Sequence, residues 1–116
     1  MNKDQAKEII KQGWYSLIDK AYAITDQLSF ANITDVSIRH SMLQIIFAEP
    51  LDNTQKYVLD CVSYKIERES ARMCEECGAY GVRRNNLEIK QCLCTSCYTL
   101  KYNEMVESAS PQVTNQ

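Results

Sequence analysis

Two Cys-x-x-Cys pairs constrain this chain more than any other feature of its sequence. The first pair is Cys74 and Cys77, the second is Cys94 and Cys97, and 16 residues separate the pairs. Two residues between thiols allow a tight turn that directs both sulfurs at one tetrahedral ion, and this spacing is typical of zinc sites. The sequence therefore predicts one Zn²⁺ held by four thiolates. Since four protein ligands leave no coordination position for water, we expect the ion to be structural.

The other two cysteines are assigned from their surroundings. Cys92 could replace Cys94 as a ligand, but the two-residue spacing is the better tetrahedral chelate, so Cys94 is the predicted ligand. Cys61 lies on the apolar side of a predicted helix and is expected to be a small buried side chain. The pattern matches neither a redox dithiol between a strand and a helix nor the spacing of an iron–sulfur cluster.

The segments between and after the pairs predict the form of the zinc module. Strands are predicted over 80–84 and 87–93, and residues 85–86, both Asn, form a two-residue hairpin turn because asparagine tolerates positive φ. A short helix is predicted over 96–105. A knuckle, a hairpin and a second pair at the start of a helix follow the order of a treble-clef zinc finger. A zinc ribbon, with a second hairpin in place of that helix, is the alternative.

Upstream of the cysteines, the hydrophobic periodicity first predicts one long helix. Apolar residues recur at alternating spacings of four and three over 3–28, which is the pattern of an amphipathic helix; they are Ile10, Trp14, Leu17, Ala21, Ile24 and Leu28. Gly13 lies inside this pattern, where glycine is unfavourable by about 1 kcal/mol relative to alanine. We therefore expect Gly13 to serve close packing or a kink.

Residues 33–48 alternate apolar and polar side chains and predict two strands that meet near 40–42. The turn contains no Gly, Asn or Asp, which argues against a tight primed turn. A second helix is predicted over 54–72, with Asn53 or Thr54 as its N-cap.

These elements predict an α+β fold. A long helix, a β-hairpin and a second helix form residues 1–72, and the treble-clef-like or ribbon zinc module forms residues 73–102. Residues 103–116 are polar and are predicted to be a disordered tail. The chain has no apolar run long enough for a membrane span and no apolar signal core at its start. We therefore expect a cytoplasmic protein with reduced thiols.

Composition bears on function only weakly. The net charge is −2, from 13 basic and 15 acidic residues, which argues against a dedicated nucleic-acid binder. However, Arg83, Arg84 and Lys90 lie in the least acidic part of the chain, with tyrosines nearby that could stack on bases. An enzyme is not expected, because His40 is the only histidine and the chain carries neither a phosphate loop nor a nucleophile elbow. His40 is expected to be an ordinary surface residue.

The favoured hypothesis is a non-enzymatic binding protein that engages another protein. Its candidate contact surfaces are the exposed parts of the first helix and the acidic loop 49–53. The alternative is a zinc-finger DNA- or RNA-binding protein that uses Arg83, Arg84 and Lys90. The sequence predicts no oligomeric state.

Several segments occur in an order typical of one group of proteins: 13–19 (GWYSLID), 33–36 (ITDV), 70–78 (SARMCEECG) and 93–97 (LCTSC). Taken together they resemble an uncharacterised family of small phage and prophage zinc-finger proteins. The resemblance implies a phage or prophage setting in a bacterial host cell, and it favours Cys94 over Cys92 as a ligand. It implies no named activity. The family usually has Gly-Gly in the first hairpin turn, where this chain has His40-Ser41-Met42, and often has His at the position of Cys97.

Overall fold

The computed structural model of this chain describes residues 1–109, and their arrangement confirms the predicted α+β class. These residues contain four α-helices and two antiparallel sheets of two strands each. In chain order the elements are α1 (Lys3–Ile9), a 3-10 turn (Gln12–Trp14), α2 (Tyr15–Asp26), β1 (Ile33–Arg39), β2 (Met42–Phe47), α3 (Asn53–Ser70), β3 (Val82–Arg84), β4 (Gln91–Leu93) and α4 (Thr95–Ala109). No helix in this part of the chain is long and apolar enough to span a membrane.

The prediction of one continuous helix over 3–28 is wrong, because the helix is interrupted between Ile9 and Tyr15. Ile10 adopts an extended backbone conformation (φ −115°, ψ 171°), and the 3-10 turn then leads into α2. The apolar spacing nevertheless marks buried positions within and after the break, since Ile10, Trp14 and Leu17 are all buried. The interruption lies at Gly13, which packs against the cysteine module in a way that a continuous helix could not.

Strands β1 and β2 form a hairpin whose turn consists of His40 and Ser41 alone. Both residues have positive φ, 54° and 63°, and Arg39 pairs with Met42 across the turn. Positive φ at both central positions defines a type I′ turn, so the sequence argument against a tight primed turn is wrong. Histidine adopts positive φ more often than most residues, but serine does not, which indicates that the twist and register of the strands impose the turn at Ser41.

Helix α3 begins one residue earlier than predicted. Asp52 is its N-cap, because the Asp52 side chain accepts a hydrogen bond of 2.8 Å from the backbone N–H of Gln55. The buried positions of the helix are Leu59, Ile66 and Ser70. This face is turned away from Cys61, which is exposed, so the prediction that Cys61 is buried is wrong.

Two serine hydroxyls join α3 to the outer edge of β2. The backbone N–H of Leu43 donates to Ser70 Oγ at 2.8 Å, and Ser63 Oγ donates to the carbonyl oxygen of Ile45 at 3.0 Å. These bonds satisfy backbone groups of β2 that have no neighbouring strand on that side. They also fix the end of α3, and therefore the start of the cysteine module, relative to the hairpin.

The C-terminal hairpin differs from the predicted one in its turn. Arg84 pairs with Gln91, so residues 85–90 form a longer loop and not the predicted two-residue turn at 85–86. The helix predicted over 96–105 is confirmed, and α4 continues to Ala109. Residues 103–109 of the predicted tail are thus helical, and the remainder, 110–116, lies outside the described residues.

The core is divided into two clusters on either side of β4. The larger cluster joins the first two helices, the first hairpin, α3 and one residue of β4; it comprises Ala6, Ile10, Trp14, Leu17, Ile18, Ala21, Ile33, Val36, Leu43, Ile45, Ile66 and Cys92. The smaller cluster surrounds the cysteine pairs and comprises Cys74, Leu93 and Cys94, with Leu87, Cys97 and Tyr98 packed against it. Because Cys92 and Leu93 project to opposite faces of β4, this strand contributes to both clusters.

Candidate metal centre

The four cysteines of the two pairs meet at one point in the structure. Their sulfur atoms all lie within 4.8 Å of one another, and the Sγ atoms of Cys77 and Cys94 are 3.6 Å apart. Sulfurs bound to one tetrahedral Zn²⁺ at about 2.3 Å stand roughly 3.8 Å apart, so the observed group has the dimensions of such a site. The described residues thus bring together all four predicted ligands, Cys74, Cys77, Cys94 and Cys97, in a group that could hold a metal ion.

The first pair is held by a tight backbone turn. The N–H of Gly78 donates to the carbonyl oxygen of Cys74 at 2.8 Å, and the N–H of Cys74 donates to the carbonyl oxygen of Ala79 at 2.7 Å. Gly78 has φ +85°, a conformation that side-chain-bearing residues rarely adopt. This glycine therefore lets the chain reverse directly after the pair and leaves both sulfurs on the inner side of the turn.

The second pair lies at the start of α4. Cys94 immediately precedes the helix, and its Sγ accepts a hydrogen bond of 3.4 Å from the backbone N–H of Cys97. A sulfur thus takes the place that a serine or aspartate oxygen usually has at a helix N-cap. This hydrogen bond, with smaller contributions from the neighbouring sulfurs, outweighs burial and lowers the pKa of Cys94 to about 7, which favours the thiolate that a metal requires.

The pKa values of two other predicted ligands, Cys97 and Cys77, are raised, which favours their protonated thiols. Burial raises the pKa of Cys97, and the neighbouring sulfurs raise it further. The N–H of Ala79 lowers the pKa of Cys77, but the contacts with the sulfurs of Cys94 and Cys74 outweigh it and raise that pKa overall. Four thiols this close together cannot all ionise easily without a cation, so a metal ion that binds here displaces protons.

Cys92 lies outside the group, although only one residue separates it from Cys94. Its side chain is buried in the larger core cluster, and its Sγ donates a hydrogen bond of 3.3 Å to the carbonyl oxygen of Ala71. Burial raises the pKa of Cys92 to about 11, with further contributions from Cys74 and Glu75. The thiol is therefore a protonated core group, and the alternative in which Cys92 replaces Cys94 does not agree with the geometry.

The N-terminal region clamps the first knuckle through backbone contacts. The N–H of Gly13 donates to the carbonyl oxygen of Glu75 at 2.9 Å, and the indole Nε1 of Trp14 donates to the carbonyl oxygen of Met73 at 2.8 Å. Trp14 is fully buried. The position of the cysteine pair thus depends on the same 3-10 turn that interrupts the first helix.

Charged side chains surround this clamp. Glu76 Oε2 forms ion pairs with Lys11 Nζ, at 3.0 Å, and with Lys101 Nζ of α4, at 2.8 Å. Burial opposes ionisation of Glu76, but the two lysines outweigh it and hold its pKa below the ordinary value. Glu75 is almost completely buried, which raises its pKa, while the Gln91 amide and Lys11 partly compensate. These contacts link the N-terminal region, the knuckle and α4 around one edge of the sulfur group.

The three residues proposed for nucleic-acid contact do not form one surface. Arg84 is engaged within the module, because its Nε donates to the carbonyl oxygen of Leu93 at 3.2 Å and its guanidinium lies 4.5 Å from the centre of the Tyr98 ring. Arg83 is the adjacent strand residue and therefore projects to the opposite face. Lys90 is exposed in the loop between the strands.

His40 is exposed at the tip of the first hairpin, in agreement with its assignment as a surface residue. The contributions of Trp14, Lys11, Glu76 and Lys101 to the site were not predicted from the sequence. Only Gly13 gave a signal, as a helix-breaking residue inside an apolar pattern. The partners of the lysines lie 65 and 25 residues away along the chain, so periodicity contains no information about them.

No protein-family model, no curated protein and no solved structure matches this chain.

Proposed function

We propose that the chain is a non-enzymatic binding protein whose C-terminal module is ordered by one structural Zn²⁺. The observation that carries this proposal is the convergence of four sulfurs within 4.8 Å, the ligand set that zinc favours in structural sites. Four protein thiolates fill the tetrahedral sphere, so the ion supplies folding energy and no open catalytic position.

The arrangement of the module supports a treble-clef type of zinc finger over a ribbon. The first pair is on a knuckle with Gly78 at its end, β3 and β4 follow as a hairpin, and the second pair opens helix α4. In a ribbon, a second hairpin would replace that helix. We also propose, from the resemblance of the cysteine segments, that the protein acts in a phage or prophage setting inside a bacterial cell.

A protein partner is the better candidate for what this module binds. Large apolar side chains are exposed on several elements, among them Leu51 at 91%, Ile89 at 72% and Leu100 at 65%. Leu51 lies in the loop 49–53 that the sequence singled out as a contact surface. Exposed apolar groups of this size are more typical of protein interfaces than of phosphate-binding surfaces.

The competing hypothesis, a DNA- or RNA-binding zinc finger, is less well supported. It depends on Arg83, Arg84 and Lys90 acting together, whereas Arg84 is held by Tyr98 and Arg83 lies on the other face of the hairpin. A net charge of −2 also gives little long-range attraction for a polyanion.

Affinity capture tests the two functions directly. The zinc-loaded full-length chain is used as bait in a bacterial lysate, with and without nuclease, and the retained material is analysed for protein and nucleic acid. We expect a discrete protein that survives nuclease and moderate salt, and that also binds an Arg83→Gln/Lys90→Gln variant. Recovery of nucleic acid alone, lost at moderate salt and in that variant, would contradict the proposal in favour of the DNA- or RNA-binding alternative.

A further inference from the structure

The side of α3 that faces away from the buried positions of the helix carries a row of exposed residues. Its members recur at spacings of four, three and four; they are Tyr57, Cys61, Tyr64 and Arg68. The two tyrosines are 71% and 59% exposed. Spacings that alternate between three and four keep side chains on one face of a helix, and two helices pack side by side through such a pattern. We call these four residues the α3 row.

Exposed charges of opposite sign lie at the two ends of α3. Glu49, in the loop before the helix, and Asp52, at its N-cap, are both exposed. Towards the other end Lys65, Arg68 and Arg72 are exposed and take part in no ion pair within residues 1–109. Two copies of α3 packed antiparallel bring the acidic end of each copy next to the basic end of the other, whereas parallel copies bring like charges together. The opposed helix dipoles favour the same orientation.

The two ends of α3 also differ in shape. Leu51, just before the helix, is 91% exposed and is the most exposed large apolar side chain of the described residues. Beyond the other end, a pocket of about 410 Å³ lies between α3 and the first cysteine knuckle, and Arg72, Met73 and Tyr80 contribute to its walls. Leu51 and Met73 lie about equally far along the chain from the middle of α3. An antiparallel second copy therefore brings its own Leu51 level with this pocket and its own Asp52 close to Arg72.

We propose that α3 is the contact surface of a symmetric homodimer, in which two copies of the helix pack antiparallel and Leu51 of each copy enters the pocket of the other. A two-fold interface must be complementary to itself, so each charge or projection on one side of the axis needs its counterpart equally far on the other side. The surface around α3 meets this condition twice, once in charge and once in shape. A different protein would require no such match between the two ends of one helix, so the observations select a second copy of this chain as the occupant.

The α3 row fits the same arrangement. When Leu51 is level with the pocket of the other copy, Arg68 is level with Tyr57 of the partner subunit, and Cys61 is level with Tyr64 of the partner subunit. The Arg68 guanidinium lies 5.6 Å from the centre of the Tyr64 ring in its own chain, and the dimer brings a second aromatic ring within its reach. The large exposed side chains of α3 are thereby covered.

This inference goes beyond the proposed binding of another protein and does not depend on it, since the exposed Ile89 and Leu100 belong to other elements of the fold. It is tested by analytical ultracentrifugation of the zinc-loaded full-length chain under reducing conditions, from about 5 µM to about 500 µM. Because the contact is small, we expect a reversible equilibrium between monomer and dimer with a dissociation constant of about 10–100 µM. A chain that stays monomeric over this whole range would overturn the inference.

Two exposed leucines provide matched variants. Leu51→Asn should weaken dimerisation by about tenfold, because it replaces the apolar side chain in the pocket by a polar one. Leu100→Asn, made at an exposed position of α4, should leave the dissociation constant unchanged. Circular dichroism and zinc content should match the original chain in both variants, since neither leucine is buried. A dimer that is equally stable in the two variants would mean that another surface forms it.

A double-mutant cycle tests the orientation of the helices. Asp52→Asn removes the charge but keeps a residue that is favourable at an N-cap, and Arg72→Gln removes the opposite charge. Each change alone should weaken the dimer by about threefold, and both together should weaken it by little more than either alone, because they break the same contact. Fully additive effects would contradict the antiparallel arrangement.

Cys61 provides an independent measurement, because the arrangement places it near its own counterpart across the two-fold axis. A short bismaleimide should link two chains through Cys61, while zinc protects the four ligands and Cys92 stays buried. The yield of linked dimer should fall to background in Cys61→Ser and should fall several-fold in Leu51→Asn at the same protein concentration. Equal yields from the original chain and Leu51→Asn would overturn the inference.

Discussion

The backbone N–H of Gly13 donates a hydrogen bond of 2.9 Å to the carbonyl oxygen of Glu75, and this contact joins the N-terminal helices to the first cysteine knuckle. The approach is possible only without a side chain. A Cβ atom at position 13 would lie 2.2 Å from the carbonyl oxygen of Cys74 and 2.5 Å from that of Glu75. The interruption of the first helix and the position of the sulfur group are therefore two aspects of one packing arrangement.

Replacing Gly13 tests this contact. Gly13→Ala should destabilise the zinc-loaded protein by about 2–3 kcal/mol, because the methyl group forces the turn away from the knuckle and breaks the hydrogen bond to Glu75. Urea denaturation followed by circular dichroism measures the effect. The neighbouring, exposed residue gives the control, since Gln12→Ala should change the free energy of unfolding by less than about 0.5 kcal/mol. Equal stability of the two variants would show that the close approach is not maintained in solution.

Trp14 should report on the metal site, because it is the only tryptophan and its indole donates to the carbonyl oxygen of the residue that precedes Cys74. Removing metal with a chelator should loosen the knuckle, expose the indole and move the fluorescence emission to longer wavelength. One equivalent of Zn²⁺ should restore the original spectrum. The Cys61→Ser variant should respond in the same way, since Cys61 is exposed on α3. An unchanged spectrum after confirmed zinc release would contradict the coupling.

The first hairpin turn predicts a stabilising substitution. Ser41 has φ 63°, and its buried hydroxyl has no hydrogen-bond partner among the described residues. Ser41→Gly should raise the free energy of unfolding by about 1 kcal/mol, because glycine adopts positive φ without strain and leaves no unpaired hydroxyl. Ser37→Gly, made in the extended backbone of β1, should instead lower it by roughly 0.5–1 kcal/mol. The two variants are compared by thermal denaturation, and a loss of stability in both would refute the account of the turn.

A surface ion pair gives a pH-dependent prediction. Lys7 Nζ lies 2.8 Å from Asp19 Oδ1, and the hydrogen bond from Lys7 holds the pKa of Asp19 below its ordinary value. A carboxyl whose pKa is lowered by folding stabilises the protein at neutral pH, and this contribution disappears as the pH falls through the ordinary and then the lowered pKa. Since the pair is exposed, Asp19→Asn should reduce stability at pH 7 by only a few tenths of a kcal/mol.

The difference between the original chain and the Asp19→Asn variant should shrink as the pH falls below about 4, in line with the ordinary pKa of aspartate. This difference in stability is followed by measuring the denaturation midpoints of both proteins from pH 7 to pH 3. Lys3 Nζ also lies 3.6 Å from Asp19 Oδ1, so the control is a Lys3→Gln/Lys7→Gln background. There the same substitution should have little effect, which separates the ion pairs from other roles of the carboxyl group. A difference that grows on acidification would have the wrong sign for this explanation.

Local sequence patterns were sufficient for most of the elements. The α+β class, the first hairpin and α3 follow from periodicity, and the four sulfurs were predicted as one group from the spacing of their pairs. These features depend on residues that are close in sequence, or on a ligand geometry that constrains distant ones. The two-residue spacing also favoured Cys94 over Cys92, and the sulfur of Cys94, not that of Cys92, belongs to the group.

The errors have a common physical origin in contacts between distant segments. The apolar spacing over 3–28 is what a continuous helix would show, and only the approach of Gly13 to Glu75 explains its interruption. Cys61 was predicted to lie on the apolar side of the helix, yet the docking of α3 on β2 buries Leu59, Ile66 and Ser70 and leaves Cys61 exposed. Position-specific packing of this kind overrides local propensity and is not encoded in spacing.

The central claim is that Cys74, Cys77, Cys94 and Cys97 hold one zinc ion, and native mass spectrometry of the zinc-reconstituted chain and its cysteine variants tests it most directly. We predict one Zn²⁺ per chain in the original protein, in Cys61→Ser and in Cys92→Ala, and loss of that ion in Cys77→Ser and Cys94→Ser. Zinc retained by Cys94→Ser but lost from Cys92→Ala, or a chain that binds no zinc at all, would contradict the account.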